Sequence, residues 1–382
     1  MTCGPGGAAY LGGTNFILFA QQKAKNHVID FRYHIVSLIS VFLALAVGII
    51  LGAGPLKETI GNQLTGQVEQ LRAEKESMRE ELDAQTAARQ DVEDYVSAAS
   101  KRVVQDTLTD RRIAVVQTSD VPDALFEQVK EQLTNAGATV TARVSLTDAW
   151  TDPAQADARQ SYASSLTEFL PENQQELPAE KALAAALIVA IAEHAETDAD
   201  ALSQNAALAL DILDAADLVN LISYSAVPVD AVVIIDASHQ AGAEVDKDQE
   251  NENAEALAAA SSLLMNVADA AARQTSGVVV AATDVVDNDL VSTIRANASA
   301  VKIVATVSDL GSPSGLLNAP LALAAAIGNK VGHFGFESSA TALVPALVVL
   351  PEVDRTIELP ETPPAEGDAA ADDAAADATD QE

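Results

Sequence analysis

One long uncharged segment constrains the fold of this chain more than any other feature. Residues 35–53 read IVSLISVFLALAVGIILGA, which is 19 residues without Asp, Glu, Lys or Arg. At about 1.5 Å per residue, a helix of this length covers roughly 28 Å, close to the hydrocarbon thickness of a bilayer. We therefore predict a single-pass transmembrane helix within residues 28–56.

The charges on either side of this segment predict its orientation. Three basic residues precede it, Lys23, Lys25 and Arg32, whereas Lys57 on the far side is offset by Glu58. The positive-inside rule then places the N-terminus in the cytoplasm and the rest of the chain outside. A cleaved signal peptide is the alternative, but its apolar region is usually about 7 to 15 residues long. We predict a retained signal anchor in the cell membrane.

The next segment, residues 57–110, carries the spacing of a coiled coil. Seam positions recur at alternating intervals of four and three from residue 64 to residue 103, and Leu71, Met78 and Leu82 are among them. This repeat is typical of helices that pair. A lone amphipathic helix lying on the protein's own body is the alternative. Pro55, just past the apolar segment, suits the first turn of a new helix.

Two glycines strengthen the prediction of a homo-oligomer. Gly48 and Gly52 form a GxxxG pair within the apolar segment. Such a pair lets two membrane helices pack closely, although Gly is common in membrane helices in general. Together with the heptad repeat, it predicts parallel self-association.

From Arg112 the pattern changes to short apolar strands separated by helical segments. The predicted strands are residues 113–117, 139–144, 231–235, 277–282 and 301–306, and the clearest helices are 124–135, 253–273 and 289–297. This alternation indicates an α/β fold with a doubly wound, mostly parallel sheet covered on both faces. We predict an extracytoplasmic α/β domain over residues 111–351. The apolar run 182–192 within it is too short to span a bilayer and is expected to be a buried helix.

The two ends of the chain differ from this domain in composition. Residues 1–27 are Gly-rich and are predicted to be disordered, or to precede the true start at Val28. Residues 352–382 hold eleven acids and one Arg, and such a tail cannot bury enough apolar surface to order itself. The whole chain has 56 acidic and 22 basic side chains and a net charge of −34. This balance excludes a nucleic-acid binder, which needs a basic surface.

The predicted strand ends carry the only candidate metal ligands. Asp236 and His239 follow one strand, and Asp284 follows the next along the chain. Because the carboxyl ends of parallel strands meet at one edge, these side chains form a candidate metal site. The alternative, which we favour, is that the Asp residues at strand ends cap the following helices.

No motif for enzymatic chemistry accompanies these residues. GxGxxG, GxxxxGK[ST], GxSxG and HExxH are all absent, and the single cysteine, Cys3, excludes a thiolate zinc site within one chain. We predict that the protein is not an enzyme and holds no cofactor that the motifs make evident.

The membrane segment and its flanks resemble a known family. Residues 28–56 read VIDFRYHIVSLISVFLALAVGIILGAGPL, and the heptad helix and RRIAVVQTSDVPD follow. This is similar to the actinobacterial family of mycobacterial copper transport protein B (MctB). The resemblance implies a cell-envelope protein that supports copper transport or efflux, so copper is a possible ligand. It assigns no copper ligand here, because the sequence lacks CxxC, a Met-rich tract and paired histidines. The family's description as outer-membrane pores conflicts with a single helical anchor, which predicts the inner membrane.

The most specific part of the resemblance is the motif Asp30, Phe31, Arg32, Tyr33 and His34. Its charged residues suit the headgroup boundary, and its two aromatic rings suit the membrane interface. Docking to an envelope protein partner is the alternative.

Three functions therefore remain open. The first is an envelope component for copper homeostasis. The second is a coiled-coil scaffold or tether with an indirect copper link. The third is a small-ligand-binding α/β domain that uses the strand-end Asp residues.

Overall fold

The computed structural model describes residues 31–118, 120–237 and 250–357. The chain divides into two compact units, one ending at Gln85 and the other beginning at Thr86. The predictions for the Gly-rich N-terminus, Asp30, His239 and the acidic tail after residue 357 lie outside the described residues.

Helix α1 runs from Phe31 to Val104 without a break. The prediction of a new helix at Pro55 is wrong, because the helical backbone continues through this residue. A proline removes only one donor from the helical hydrogen-bond ladder, and the Glu, Gln, Ala and Arg residues that follow favour helix strongly. The first part of α1, Phe31–Gly52, is long and apolar enough to cross a membrane, and its side chains are exposed. It is the one such helix among the described residues.

The second unit is built around a seven-stranded sheet. In chain order its strands are β1 (Arg112–Gln117), β2 (Thr139–Leu146), β5 (Val219–Tyr224), β6 (Ala231–Asp236), β7 (Val278–Ala282), β8 (Ala305–Val307) and β9 (His333–Phe334), while β3 (His194–Ala195) and β4 (Asp198–Leu202) form a separate hairpin. The spatial order is 5-2-1-6-7-8-9. All neighbours pair in parallel except β5, which is antiparallel to β2. The predicted mostly parallel sheet is confirmed.

Among the described residues, this unit has seven α-helices after α1. They are α2 (Asp123–Asn135), α3 (Ala156–Leu166), α4 (Ala179–Ala192), α5 (Gln204–Ala215), α6 (Glu250–Gln274), α7 (Leu290–Ala296) and α8 (Pro313–Ile327). Alternate residues of each strand point to opposite faces. Ala114 and Val116 of β1 accordingly join an apolar cluster with α3 to α7. Ile113 and Val115 join a second cluster with α2, α8 and Val104 at the end of α1.

Helix α4 lies within the first cluster. Every residue from Ala182 to Ile191 is buried. The prediction that this apolar run is a core helix is therefore confirmed. Its Ala-rich composition lets neighbouring helices approach it on several sides.

The strand predictions differ from the structure in particular places. The predicted strand 301–306 is wrong in its first half, because Ala300–Lys302 form a 3-10 turn and β8 begins at Ala305. Strands β5 and β9 and the β3–β4 hairpin were not predicted. β9 has two residues and β5 is an edge strand, so neither carries the long buried apolar run by which the inner strands were found.

Candidate functional site

Polar side chains gather where the parallel strands end. β1 ends at Gln117, and its neighbour β6 ends at Asp236. The strand order reverses here, since β2 lies on one side of β1 and β6 on the other. In open α/β sheets ligands bind beyond the strand ends at such a reversal. We call the group Thr118, Asp236, Asp284 and Asp289 the switch-point edge.

Asp236 is a buried carboxylate, with 5% of its surface exposed. Thr118 Oγ1 donates a hydrogen bond to Asp236 Oδ1 at 3.1 Å. The backbone N–H of Thr118 also donates to the carbonyl of Ile235 at 3.1 Å, which extends the ladder between the two strands. The last residue of β6 is therefore held against the residue that follows β1.

Asp289 is a second buried carboxylate and caps α7. It accepts hydrogen bonds from the backbone N–H groups of Ser292 at 2.6 Å and Val286 at 2.7 Å. Burial raises the pKa of Asp289, the hydrogen bonds from Ser292 and Val286 oppose this increase, and the negative charge of Asp236 adds to it. The switch-point edge thus holds two carboxylates that interact electrostatically.

Asp236 and Asp284 differ in their exposure to solvent. Asp284 is exposed, and its Oδ1 accepts from the N–H of Val285 at 2.8 Å. His239 lies outside the described residues. Within the described ranges, no group of three His, Cys, Asp or Glu side chains is arranged to hold a metal ion. A site that combines Asp236, His239 and Asp284 stays a prediction.

The expectation that strand-end Asp residues cap the following helices is wrong for Asp284, two residues after β7, and for Asp309, two residues after β8. Asp289 caps α7, whereas Asp284 accepts from the N–H of Val285. Ser312 caps α8 through the N–H of Gly315, and Asp309 contributes its backbone carbonyl to the turn before it. A cap has to stand directly before the first helical turn, and these loops place another residue there.

A chain of hydrogen bonds joins α7 to β8 and β9. Arg295 Nε donates to Thr306 Oγ1 at 3.0 Å, and Thr306 Oγ1 lies 2.9 Å from His333 Nδ1. His333 Nε2 lies 3.0 Å from the carbonyl oxygen of Val301. Burial lowers the pKa of His333, the hydrogen bond to Val301 opposes this, and the positive charge of Arg295 lowers it further. His333 is 4% exposed, so it is a packed residue with defined partners.

Sequence reasoning missed a polar trough on the first apolar cluster. A cavity of about 560 Å³ lies between residues 173–177, α4 and α6, and amide and charged side chains line much of it, among them Asn173, Gln174, Lys181, Asn266, Asp269, Arg273 and Gln274. A second cavity of about 530 Å³ shares four of these residues and extends to Glu193 and His194. No local motif marks the trough, because its lining comes from separate segments. Its lining residues include no Ser, Thr or Cys nucleophile.

The residues predicted to act at the membrane and in self-association all lie on α1. Phe31, Arg32, Tyr33 and His34 form its exposed first turn. Gly48 and Gly52 have open space around the position of a Cβ. The seam residues Leu71, Met78 and Leu82 are each more than half exposed. Leu71, Met78 and Leu82 thus form an apolar helix face. Within the described residues, no other element packs against this face.

Comparison with known proteins identifies relatives for most of the chain. The sequence profile of the family described as "Copper transport outer membrane protein, MctB" matches residues 28–345. The Copper transporter MctB proteins of Mycobacterium tuberculosis and Mycobacterium bovis are each 29% identical over 323 residues, which cover 81% of this chain and 96% of theirs. The protein of that name from Mycobacterium leprae is 30% identical over 138 residues, 36% of this chain and 44% of its own.

Proposed function

The chain belongs to the MctB family of copper transport proteins, and from this premise we propose that it is a non-enzymatic envelope protein, anchored in the membrane by α1, that supports copper transport. The single observation that carries the anchoring is the exposed apolar helix Phe31–Gly52. A soluble protein would leave this surface unfavourably hydrated, whereas a bilayer covers it.

We propose the cell membrane as its location, with the N-terminus in the cytoplasm and the α/β body outside. A lone helix satisfies its backbone hydrogen bonds internally, so it can span a membrane alone, whereas a pore requires several spans or a closed barrel. The family description names the outer membrane. The basic residues before α1 support an inner-membrane anchor for this chain.

The chemistry of the body supports an indirect role in copper transport. Cu(I) favours thiolate and thioether ligands. Beyond the apolar segment the sequence has no Cys and two Met residues, Met78 and Met265. Met78 lies on the exposed face of α1, and Met265 packs against the apolar core. We propose that copper moves through a partner that this protein supports.

The surroundings of the buried carboxylates support the proposal that the protein is not an enzyme. The two buried carboxylates of the switch-point edge accept hydrogen bonds from Thr118 and from backbone N–H groups. These contacts hold the ends of structural elements together. We propose that both carboxylates act in the fold and not in catalysis.

A coiled-coil tether is the second candidate, and one observation favours it. Leu64, Leu71, Met78, Leu82 and Val92 are exposed along α1 at heptad spacing. We propose that this seam pairs in parallel with the α1 helix of another copy, assisted by Gly48 and Gly52. The protein would then be a homo-oligomer whose paired helices connect the membrane to the body.

The test is complementation of a strain that lacks the gene. We would compare the full chain with a version whose residues 1–56 are replaced by a cleavable signal peptide, at matched expression. Growth in copper should be restored by the anchored form and not by the secreted form. Equal rescue by both would overturn anchoring as part of the function. No change in copper tolerance on deletion would overturn the role in copper transport.

A further inference from the structure

The last described segment of the chain displays apolar side chains outward. Residues 343–350 form neither helix nor strand, and Leu343, Val344, Leu347 and Val349 are more than half exposed, with Val349 at 99%. We call residues 343–350 the strap. Contiguous exposed apolar surface on a folded protein usually marks an interaction site.

The strap is built into the fold. Its other side faces inward, since Pro345 is buried and Leu350 packs against the cluster of α2 and α8. Val348 lies so close to Gly328 that a Cβ there would come within 2.6 Å of Val348 Cγ1. Packing on this inner side leaves the other side chains pointing to solvent.

Hydrogen bonds hold both ends of the strap. Asn318 Nδ2 donates to the carbonyl of Leu343 at 2.8 Å, and Arg111 donates to the carbonyl of Pro351 at 3.2 Å. Just beyond, Arg355 donates to the carbonyl of Asp110 at 2.9 Å and to Asp230 Oδ2 at 2.6 Å. The outward apolar surface is therefore a fixed feature of this unit.

The strap and the end of α1 pack on the same apolar cluster. Leu350 packs against this cluster, which contains Val104, the last residue of α1, and Leu108. Val92 and Val103, which are seam positions near the end of α1, are exposed on the same unit. The strap and the C-terminal part of the seam therefore belong to one compact unit, and both expose apolar side chains.

We propose that the strap is a second self-association surface, covered by another copy of this chain. The proposal rests on the parallel pairing of α1 proposed above. Four side chains expose only a few hundred Å², whereas a specific complex between free partners buries about 800 Å² on each. A copy already tethered through α1 is present at an effective concentration in the millimolar range, so the small patch suffices.

Charge also favours a second copy as the occupant. The chain carries a net charge of −34, so most faces of two copies repel each other. Residues 341–351 read TALVPALVVLP and contain no charged side chain. The same patch on both copies can therefore meet across a two-fold axis without bringing like charges together.

The experiment uses the full chain in detergent micelles, with Cys3→Ser removing its one cysteine. Val349→Cys is then introduced into two proteins, one with the intact seam and one that also carries Leu71→Asp and Leu82→Asp. The rate at which a maleimide labels this cysteine is measured in both. We expect labelling at least ten times slower with the seam intact. The matched control is Ser164→Cys. Ser164 is exposed on α3, a helix whose buried residues belong to the other apolar cluster. It should label equally fast in both backgrounds.

A second single-cysteine variant, Leu71→Cys, separates the two proposals. Disulfide cross-linking at Leu71→Cys together with slow labelling at Val349→Cys supports the strap interface. Cross-linking at Leu71→Cys with equal labelling rates at Val349→Cys overturns the strap interface and leaves α1 pairing in place. Absence of cross-linking at Leu71→Cys overturns both. Because Val349 is almost fully exposed, its replacement does not disturb the core.

Discussion

Thr306 Oγ1 and His333 Nδ1 lie 2.9 Å apart inside the body, and their hydrogen bond joins β8 to β9. Val301 presents a carbonyl oxygen 3.0 Å from His333 Nε2, so Nε2 carries the proton of the neutral imidazole. Nδ1 of this neutral form accepts the hydroxyl hydrogen of Thr306, whose oxygen accepts from Arg295 Nε at 3.0 Å. A second proton on His333 would require the Thr306 hydroxyl to turn and accept instead.

The stability of the body should therefore fall as the pH drops below about 6.5, the ordinary pKa of histidine. The folded pKa of His333 is lower than the unfolded one. Above both values His333 contributes no pH dependence. Between them the unfolded chain binds a proton that the folded chain does not, so the free energy of unfolding falls with falling pH. The charged groups nearest the chain of hydrogen bonds are Arg295 and its partner Glu337, at 3.3 Å.

Urea unfolding of the wild type and of His333→Gln at several pH values between 5 and 8 checks this prediction. The glutamine variant should lose part of the slope below about pH 6.5. His194→Gln, in the β3–β4 hairpin, is the control and should keep the wild-type slope. An unchanged slope in His333→Gln would show that other groups cause the pH dependence.

Asp289 should tolerate loss of its charge better than loss of its hydrogen bonds. Asp289→Asn keeps an oxygen that can accept from Ser292 or Val286 and removes a carboxylate whose burial is unfavourable. Asp289→Ala removes the cap and should destabilise the body by about 1 to 2 kcal/mol. Because the folded pKa of Asp289 is raised, its favourable contribution is complete below about pH 3.9 and is lost as the pH rises through the folded value.

The relative stability of Asp289→Asn should therefore improve with rising pH. The measurement is the free energy of unfolding of the wild type and both variants at about pH 4 and at pH 7. Equal destabilisation by Asn and Ala at neutral pH would contradict the proposed balance between burial and capping.

The proposed orientation predicts where reporter enzymes are active. Fusions after Leu56 and after Pro351 should both be active only with a reporter that requires the extracytoplasmic space. The reason is the charge asymmetry around Phe31–Gly52, the one span candidate among the described residues. Cytoplasmic activity at either junction would reject the topology. A fusion after Gln22, before the basic residues, is the matched control and should show the opposite pattern.

The seam of α1 predicts the oligomeric state. Leu71→Asp with Leu82→Asp places two charges in an apolar contact and should shift the full chain from oligomer to monomer in light scattering. Glu76→Asp with Glu80→Asp on outer positions is the control and should leave the mass unchanged. A mass unaffected by the seam substitutions would favour the lone amphipathic helix over a coiled coil.

Copper titration tests whether the protein binds the metal itself. We expect the full chain with Cys3→Ser to bind Cu(I) and Cu(II) weakly and without a discrete stoichiometry, because soft ligands are scarce. Isothermal titration calorimetry is the measurement, and His194→Ala is the control. One tight site that His239→Ala abolishes would contradict this expectation and establish the site of Asp236, His239 and Asp284.

Local periodicity determined much of the fold. The uncharged run 35–53 predicts a spanning helix because length and polarity are properties of one segment. The inner strands β1, β6 and β7 were found because a strand buried on both faces is a short continuous apolar run. The buried helix α4 followed from the same reasoning.

The candidate site was predicted only in part. The carboxyl ends of β1 and β6 and the buried Asp236 were found, since a parallel sheet brings its strand ends to one edge. The role of Asp289 was missed, because a helix cap depends on where the loop ends and not on the distance from the strand. Asp284 stands nearer to β7 in sequence, yet Asp289 stands directly before α7.

The sequence by itself determined the apolar helix of spanning length, the heptad spacing and the alternation of strands and helices, because each depends on residues a few positions apart. The tertiary structure decided which strands are neighbours, the antiparallel direction of β5, and the contacts among Arg295, Thr306 and His333. It also decided that the strap packs one side inward and exposes the other. These features join segments that are distant in sequence, and packing against the whole body, not local periodicity, selects them.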